Sequence, residues 1–174
     1  MFVGHQVLLN VGSGVARTRL ANLVHEGLLV MASRAAYGGA VTGLAQAGVL
    51  GLSELIQVQT RDLVMGEGSA VLTLRWQATG PDGALFPALD ADIRLTPAGK
   101  QAVVLRLDGA YRPPPGIRGT ELDRAVLHRV AAATVQDFLG RIAGAIADPA
   151  AAAPGRQAAG AEAEPLRPPG ADTP

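Results

Sequence analysis

Arg124 and His128 are the two side chains of the sequence whose types and spacing best suit chemistry. They lie four residues apart in a segment with helical periodicity, which places them one turn apart on the edge of its apolar face. An imidazole can exchange protons near neutral pH, and a guanidinium can hold a carboxylate or stabilise an enolate. The alternative, which we favour, is a salt-bridged or solvated rim at the N-terminal end of the helix.

Four apolar or aromatic residues complete the candidate site: Trp76, Leu107, Tyr111 and Phe138. Alternation along two strands puts Trp76 and Leu107 on an inner face, and helical spacing puts Phe138 on an apolar helix face. The Tyr111 hydroxyl either reaches the end of a cavity or bonds the backbone of the following turn. Together with His128, these side chains either line a void that binds an apolar ligand or pack together as a filled core.

The composition argues against several other kinds of site. Fifteen basic and 15 acidic residues cancel, so no nucleic-acid surface is expected. There is no cysteine, and the three histidines stand singly, so we expect no disulfide and no metal site. Gly12-Ser13-Gly14 lacks the third glycine of a dinucleotide-binding turn, and no alternating strand–helix pattern follows it, so no cofactor is expected.

A long C-terminal helix and a set of strands must position the candidate residues. Apolar positions at helical spacing predict a helix that begins after an N-cap at Thr120 and ends at Ala147. Period-two alternation and short turns predict an antiparallel meander between Leu52 and Tyr111. Upstream, the pattern predicts a strand over Val3–Val11 and helices over Ala16–Glu26 and Leu28–Tyr37.

Charged residues occupy the outward positions of the predicted strands. Opposite charges that face each other across strands contribute roughly a few tenths of a kcal/mol per pair. We therefore expect ion pairs on the outer face of the sheet among Arg75, Asp90, Asp92, Arg94, Arg106 and Asp108.

The chain divides into one domain over residues 1–147 and a tail over residues 148–174. The tail consists largely of Ala, Pro, Gly, Glu and Arg, with Leu166 as its only large aliphatic residue. Such a segment cannot bury enough apolar surface to order itself, so we predict a disordered tail. The N-terminus lacks the features of a signal peptide, and no segment favours a membrane span, so we expect a cytoplasmic protein. The stretch over residues 38–51 stays unassigned.

One strand, two helices, a meander and a long C-terminal helix form a recognisable α+β layout. This order resembles the helix-grip fold of the START/Bet v 1-like (SRPBCC) superfamily, which includes polyketide cyclase- and dehydrase-like proteins. The blocks RWQATGPDGALFPALDADIRLTP, LRLDGAYRPPPG and LDRAVLHRVAAATVQDFL resemble a group of actinobacterial proteins usually placed in that superfamily. The resemblance covers Val3 to Ala147. It implies a curved antiparallel sheet wrapped around the last helix, with a cavity between the two for an apolar ligand.

Three functional hypotheses follow from the sequence. The first is the binding of a hydrophobic or amphipathic small molecule, oriented by Arg124, His128 and Tyr111. The second is a cyclase, dehydratase or isomerase in the same pocket, with His128 as the acid/base and Arg124 stabilising negative charge. The third is a partner-binding or dimerising module without a ligand.

Overall fold

The computed structural model describes residues 1–46, 56–78, 88–112 and 124–152. The chain order is β1 (Phe2–Leu9), α1 (Ser13–His25), α2 (Leu28–Gln46), β2 (Ile56–Thr60), β3 (Val64–Met65), β4 (Ala70–Ala78), β5 (Ala88–Pro97), β6 (Val103–Arg112), α3 (Arg124–Ala147) and α4 (Pro149–Ala152). The predicted order of strand, two helices, meander and long helix is confirmed, and the short strand β3 is an addition to it. The Thr120 cap and most of the predicted tail lie outside the described residues.

The strands form one antiparallel sheet in the order β1-β6-β5-β4-β2, with β3 also paired to β4. The N-terminal strand therefore closes onto the last strand, while β4, β5 and β6 follow one another as a meander. The β1–β6 ladder continues past the end of β1, because the Met1 amino group donates to the Tyr111 carbonyl oxygen at 2.8 Å. The Tyr111 N–H in turn donates to the Met1 carbonyl oxygen at 2.7 Å.

The inner face of the sheet supplies half of the hydrophobic core. From Ala88 to Leu95, strand β5 alternates between half-buried outer residues and buried inner residues, as period-two patterning requires. The facing helix α3 contributes large side chains that are fully buried, among them Phe138, Leu139 and Ile142. The stretch His128–Ala147 is long and apolar enough to span a membrane, but half of it is buried inside the protein, as is typical of a core helix. The α+β, helix-grip fold is thus confirmed.

The outer face of the sheet carries the predicted ion pairs. Arg94 bonds Asp92 at 2.7 Å and Asp108 at 3.4 Å, and Arg106 bonds Asp108 at 2.7 Å. The two aspartates face each other across β5 and β6, and the two arginines do the same. The repulsion within each like-charged pair is offset by the opposite charges beside it. The hydrogen bond from Arg106 holds the pKa of Asp108 below its usual range.

Helix α2 is longer than predicted. Its expected end at Tyr37 is wrong, because the helix continues through Gly38 and Gly39 to Gln46. Two adjacent glycines disfavour a helix. Burial explains the outcome: Tyr37 and Val41, one turn apart, both pack into a cluster with Ile56 of β2. The break between α1 and α2 falls at Gly27, as expected, where a φ of 72° suits glycine.

Candidate functional site

An inner cavity lies between the sheet, α2 and α3, and its volume is about 40 Å³. Its wall is almost entirely apolar, so the cavity suits an uncharged, apolar ligand. The described residues that line it are Val3, Tyr37, Ala40, Val41, Trp76, Leu89, Tyr111, Ala131, Thr134 and Val135.

Strand register brings together the sheet side of the cavity. Trp76 of β4 faces Leu89 of β5, and Leu89 faces Tyr111 of β6. Because directly opposite residues of a sheet share a face, these three side chains form one row across the inner surface. All three are buried.

Helical spacing brings together the opposite side. Tyr37, Ala40 and Val41 follow the i, i+3, i+4 pattern on α2, and Ala131, Thr134 and Val135 follow it on α3. Each triplet includes at least one alanine, which does not reach far toward the sheet. The row of large sheet side chains thus faces a helical side on which Ala40 and Ala131 are small, and the space between the two sides stays unfilled.

Few polar groups reach the described cavity wall, and the hydrogen bonding or protonation of each can be assigned. The Thr134 hydroxyl donates to the Val130 carbonyl oxygen at 2.7 Å. Burial raises the pKa of Tyr37 to about 12. Burial, with the proximity of Tyr37 as a smaller cause, raises the pKa of Tyr111 to about 12 as well. Both phenols therefore stay protonated at neutral pH and act as neutral hydrogen-bonding groups.

Trp76 carries an unusual feature for a buried side chain. Its indole nitrogen is fully buried and has no hydrogen-bond partner among the described residues. Native structures rarely leave such a donor unpaired, because the loss of its water costs about 1–3 kcal/mol. The indole ring packs edge-to-face against Phe138, with ring centroids 4.9 Å apart and an interplanar angle of 82°.

The residues singled out from the sequence separate into three groups in the structure. Trp76 and Tyr111 line the inner cavity. Leu107 and Phe138 are fully buried in the core next to it. The His128 side chain is exposed at the surface of α3. Arg124 is the first residue of that helix, and its side chain lies outside the described part of the structure. The structure thus brings the aromatic candidates together without placing His128 among the described residues of the cavity wall.

Sequence reasoning missed the helical side of the cavity. The spacing of Tyr37, Ala40 and Val41 was a usable signal, but the glycines at positions 38 and 39 hid it by suggesting a helix end. On α3, Ala131 and Val135 lie at positions with apolar helical spacing, but nothing in that pattern shows that they leave a space.

A second depression lies on the other side of the helical layer. This open groove, with a volume of about 610 Å³, runs between α1, α2 and the C-terminal half of α3. Leu28, Met31 and Ile142 contribute to its floor, and Arg141 and Asp148 lie at its margin. Met31 is 53% exposed, which is high for a large apolar side chain.

No protein-family model matches the chain, and a search of curated proteins found no match. Among solved structures, the chain is similar to the ZhuI aromatase/cyclase of a Streptomyces species, with 15% identity, coverage of 84% of this chain and 95% of that chain, and a TM-score of 0.32. It is also similar to a norcoclaurine synthase point mutant of Thalictrum flavum, with 13% identity, coverage of 80% and 94%, and a TM-score of 0.29. A Thermus thermophilus protein matches with 13% identity, coverage of 83% and 99%, and a TM-score of 0.30.

At TM-scores of 0.29 to 0.32 these likenesses carry no argument about this chain, whose fold follows from its own elements and strand order. The order of elements and the sheet topology are those of a helix grip, in agreement with the START/Bet v 1-like resemblance of the sequence. The narrower resemblance to an actinobacterial group stays a prediction.

Proposed function

We propose that this protein binds a small, largely apolar molecule in the inner cavity. The observation that carries the proposal is the cavity itself, which lies between sheet and C-terminal helix and is walled by aliphatic and aromatic side chains. Ligand sites are typically apolar concavities with a small number of placed polar groups, and this wall has that composition. Burial of apolar surface would supply most of the affinity.

The size of the cavity sets a condition on the ligand. Drug-sized ligands occupy pockets of roughly 300–1,000 Å³, whereas this cavity measures about 40 Å³. The described state is therefore a closed one that accepts only a few heavy atoms. A larger lipid- or polyketide-like ligand must widen it by displacing wall side chains or by separating α2 from α3.

The described wall supports binding better than catalysis. Its titratable groups, Tyr37 and Tyr111, both have a pKa near 12, so neither is a useful proton acceptor at neutral pH. An acid/base role for His128, with Arg124 as the anion-stabilising partner, stays a prediction, and the exposed position of His128 gives it no support.

The single tryptophan of the chain provides a direct test. Because Trp76 lines the cavity, its fluorescence should change when an apolar compound enters. Native mass spectrometry of gently purified protein should also show an excess mass that leaves on denaturation. A bare mass, together with unchanged Trp76 emission across a panel of small ketones and hydrocarbons, would count against the proposal.

A partner-binding module is the second candidate, and the open groove with its exposed Met31 favours it. A homodimer is one form of this second candidate. The cytoplasmic location is a separate part of the proposal. Sedimentation of the wild type and of Met31→Lys distinguishes the cases. If the groove mediates self-association, the wild type sediments as a dimer and the variant as a monomer, and a monomeric wild type removes the homodimer.

A further inference from the structure

The unpaired indole N–H of Trp76 constrains what the inner cavity can bind. Trp76 is 4% exposed and belongs to the cavity wall, yet in the part of the chain that the structure describes its nitrogen has no hydrogen-bond partner. An indole offers only a donor, so the missing partner must be an acceptor. A ligand beside this side chain is the natural source of that acceptor.

The other polar groups of the wall narrow the chemistry further. The Thr134 hydroxyl already donates to a backbone carbonyl, which leaves its lone pairs for the cavity. The phenols of Tyr37 and Tyr111 are neutral. The described lining residues include no charged side chain, so the wall shows no partner for a carboxylate or an ammonium group.

We infer that the ligand is an uncharged, largely apolar molecule with one acceptor oxygen, such as a ketone, ester or ether, and that the Trp76 N–H donates to this oxygen. This inference rests on the proposed function. Trp76 is then the residue that selects an oxygen-bearing ligand over a hydrocarbon of the same shape. Selection arises because a hydrocarbon leaves the buried donor unpaired, whereas the oxygen satisfies it.

Widening of the cavity makes this contact possible. The indole nitrogen is fully enclosed in the described state, and the cavity holds only a few atoms. A larger ligand must push wall side chains apart, and the Trp76 ring is part of that wall. The inference requires that this displacement also brings the indole N–H within reach of the ligand oxygen.

The test compares cyclohexanone with methylenecyclohexane, which replaces the carbonyl oxygen by a CH₂ group of similar size. Both are titrated into wild-type protein and into Trp76→Phe, which keeps an aromatic ring against Phe138 and removes the donor. The two ligands and two proteins form a double-mutant cycle, which cancels their different solubilities. We expect Trp76→Phe to weaken cyclohexanone binding about tenfold more than methylenecyclohexane binding.

Nuclear magnetic resonance gives a second readout. The chain contains one tryptophan, so the ¹⁵N-labelled protein has a single indole N–H resonance. Cyclohexanone should move its proton downfield, as a new hydrogen bond requires, and methylenecyclohexane should not. If Trp76→Phe does not fold, replacement of the sole tryptophan by β-(3-benzothienyl)alanine removes the N–H with almost no change of shape.

The possible outcomes are distinguishable. Binding of both compounds with no coupling in the cycle, or with no downfield shift, would overturn the assignment of Trp76 and leave the proposed function standing. Failure of both compounds to bind, with no shift of any cavity-lining resonance, would overturn the proposed function itself.

Discussion

Filling the inner cavity from the helix side should stabilise the protein and weaken ligand binding at the same time. Ala131 is the best position, because it lies on α3, is 6% exposed and lines the cavity. Ala131→Val adds two methyl-sized groups directed toward the unfilled space. Ala133 of the same helix is exposed, so Ala133→Val is a matched control that adds the same groups to water.

The expected magnitude follows from the burial at the two positions. Two buried carbon groups contribute about 1.6 kcal/mol, while the lower helix propensity of valine costs about 0.5 kcal/mol and the ordering of its side chain about 0.5 kcal/mol. Ala131→Val should therefore raise the free energy of unfolding by roughly 0.5 kcal/mol. Ala133→Val gains no burial and should lower it by about 0.5 kcal/mol, which leaves a difference of about 1 kcal/mol between the variants.

Urea unfolding of the two variants and the wild type measures this difference, and cyclohexanone titration measures binding. Ala131→Val should lose at least tenfold in affinity, whereas Ala133→Val should bind like the wild type. If Ala131→Val is the less stable of the two, the added groups meet a filled core, because overpacking costs about 1–3 kcal/mol. That result would refute the existence of the cavity in solution.

Three further predictions concern the framework around the cavity. Gly109→Ala should lower the free energy of unfolding by about 1–3 kcal/mol, because the new Cβ would lie 2.8 Å from a methyl group on β5. Gly140→Ala, in open space on α3, should raise the free energy of unfolding by about 1 kcal/mol. Equal effects of the two substitutions in urea unfolding would contradict the structure. Arg19→Met removes bonds of 2.6 and 3.1 Å to the last carbonyls of α3 and should cost about 1 kcal/mol, with faster amide exchange in the last turn as the sign that this end has loosened. Tyr37 and Tyr111 have a pKa of about 12 in the folded protein and an ordinary value of 10.0, so the unfolded chain loses these protons first. Their contribution to stability is complete below pH 10 and is lost as the pH rises toward 12, and an equally steep alkaline loss in the double Phe variant would show that other groups cause it.

The sheet was predictable from the sequence because its signal is local. Strand β5 alternates so regularly that both faces can be assigned by inspection, and its outer charges indicated ion pairs with neighbouring strands, which Asp90 and Arg94 form with Arg75 and Asp108. Short turns then left an antiparallel meander as the natural arrangement. The helix-grip order followed from the position of one long apolar helix after the last strand.

The cavity was not predictable in the same way, because a void is a property of packing between elements. The sequence placed Trp76 on the inner face and left two positions open for the Tyr111 hydroxyl, but it did not show which helix residues lie opposite these side chains. Tyr37 stood at the predicted end of a helix, which gave no sign that it lines a cavity. Ala131 matters because its small side chain leaves space unfilled. His128 was selected for its chemical type, and an exposed helix position explains it equally well.

The two halves of α3 differ in how they pack, and this difference indicates how the cavity can open. In the C-terminal half, Leu139, Ile142 and Ile146 are fully buried, and Arg19 of α1 binds the carbonyl oxygens at the end of the helix. In the N-terminal half, Ala131 and Thr134 face the unfilled space instead of a packed core. The buried side chains described in that half, Ala131, Thr134 and Val135, are smaller than Leu139, Ile142 and Ile146, so we expect its local opening to require less free energy. A ligand that widens the cavity should therefore move the N-terminal half of α3 away from α2 while the C-terminal half stays fixed as an anchor.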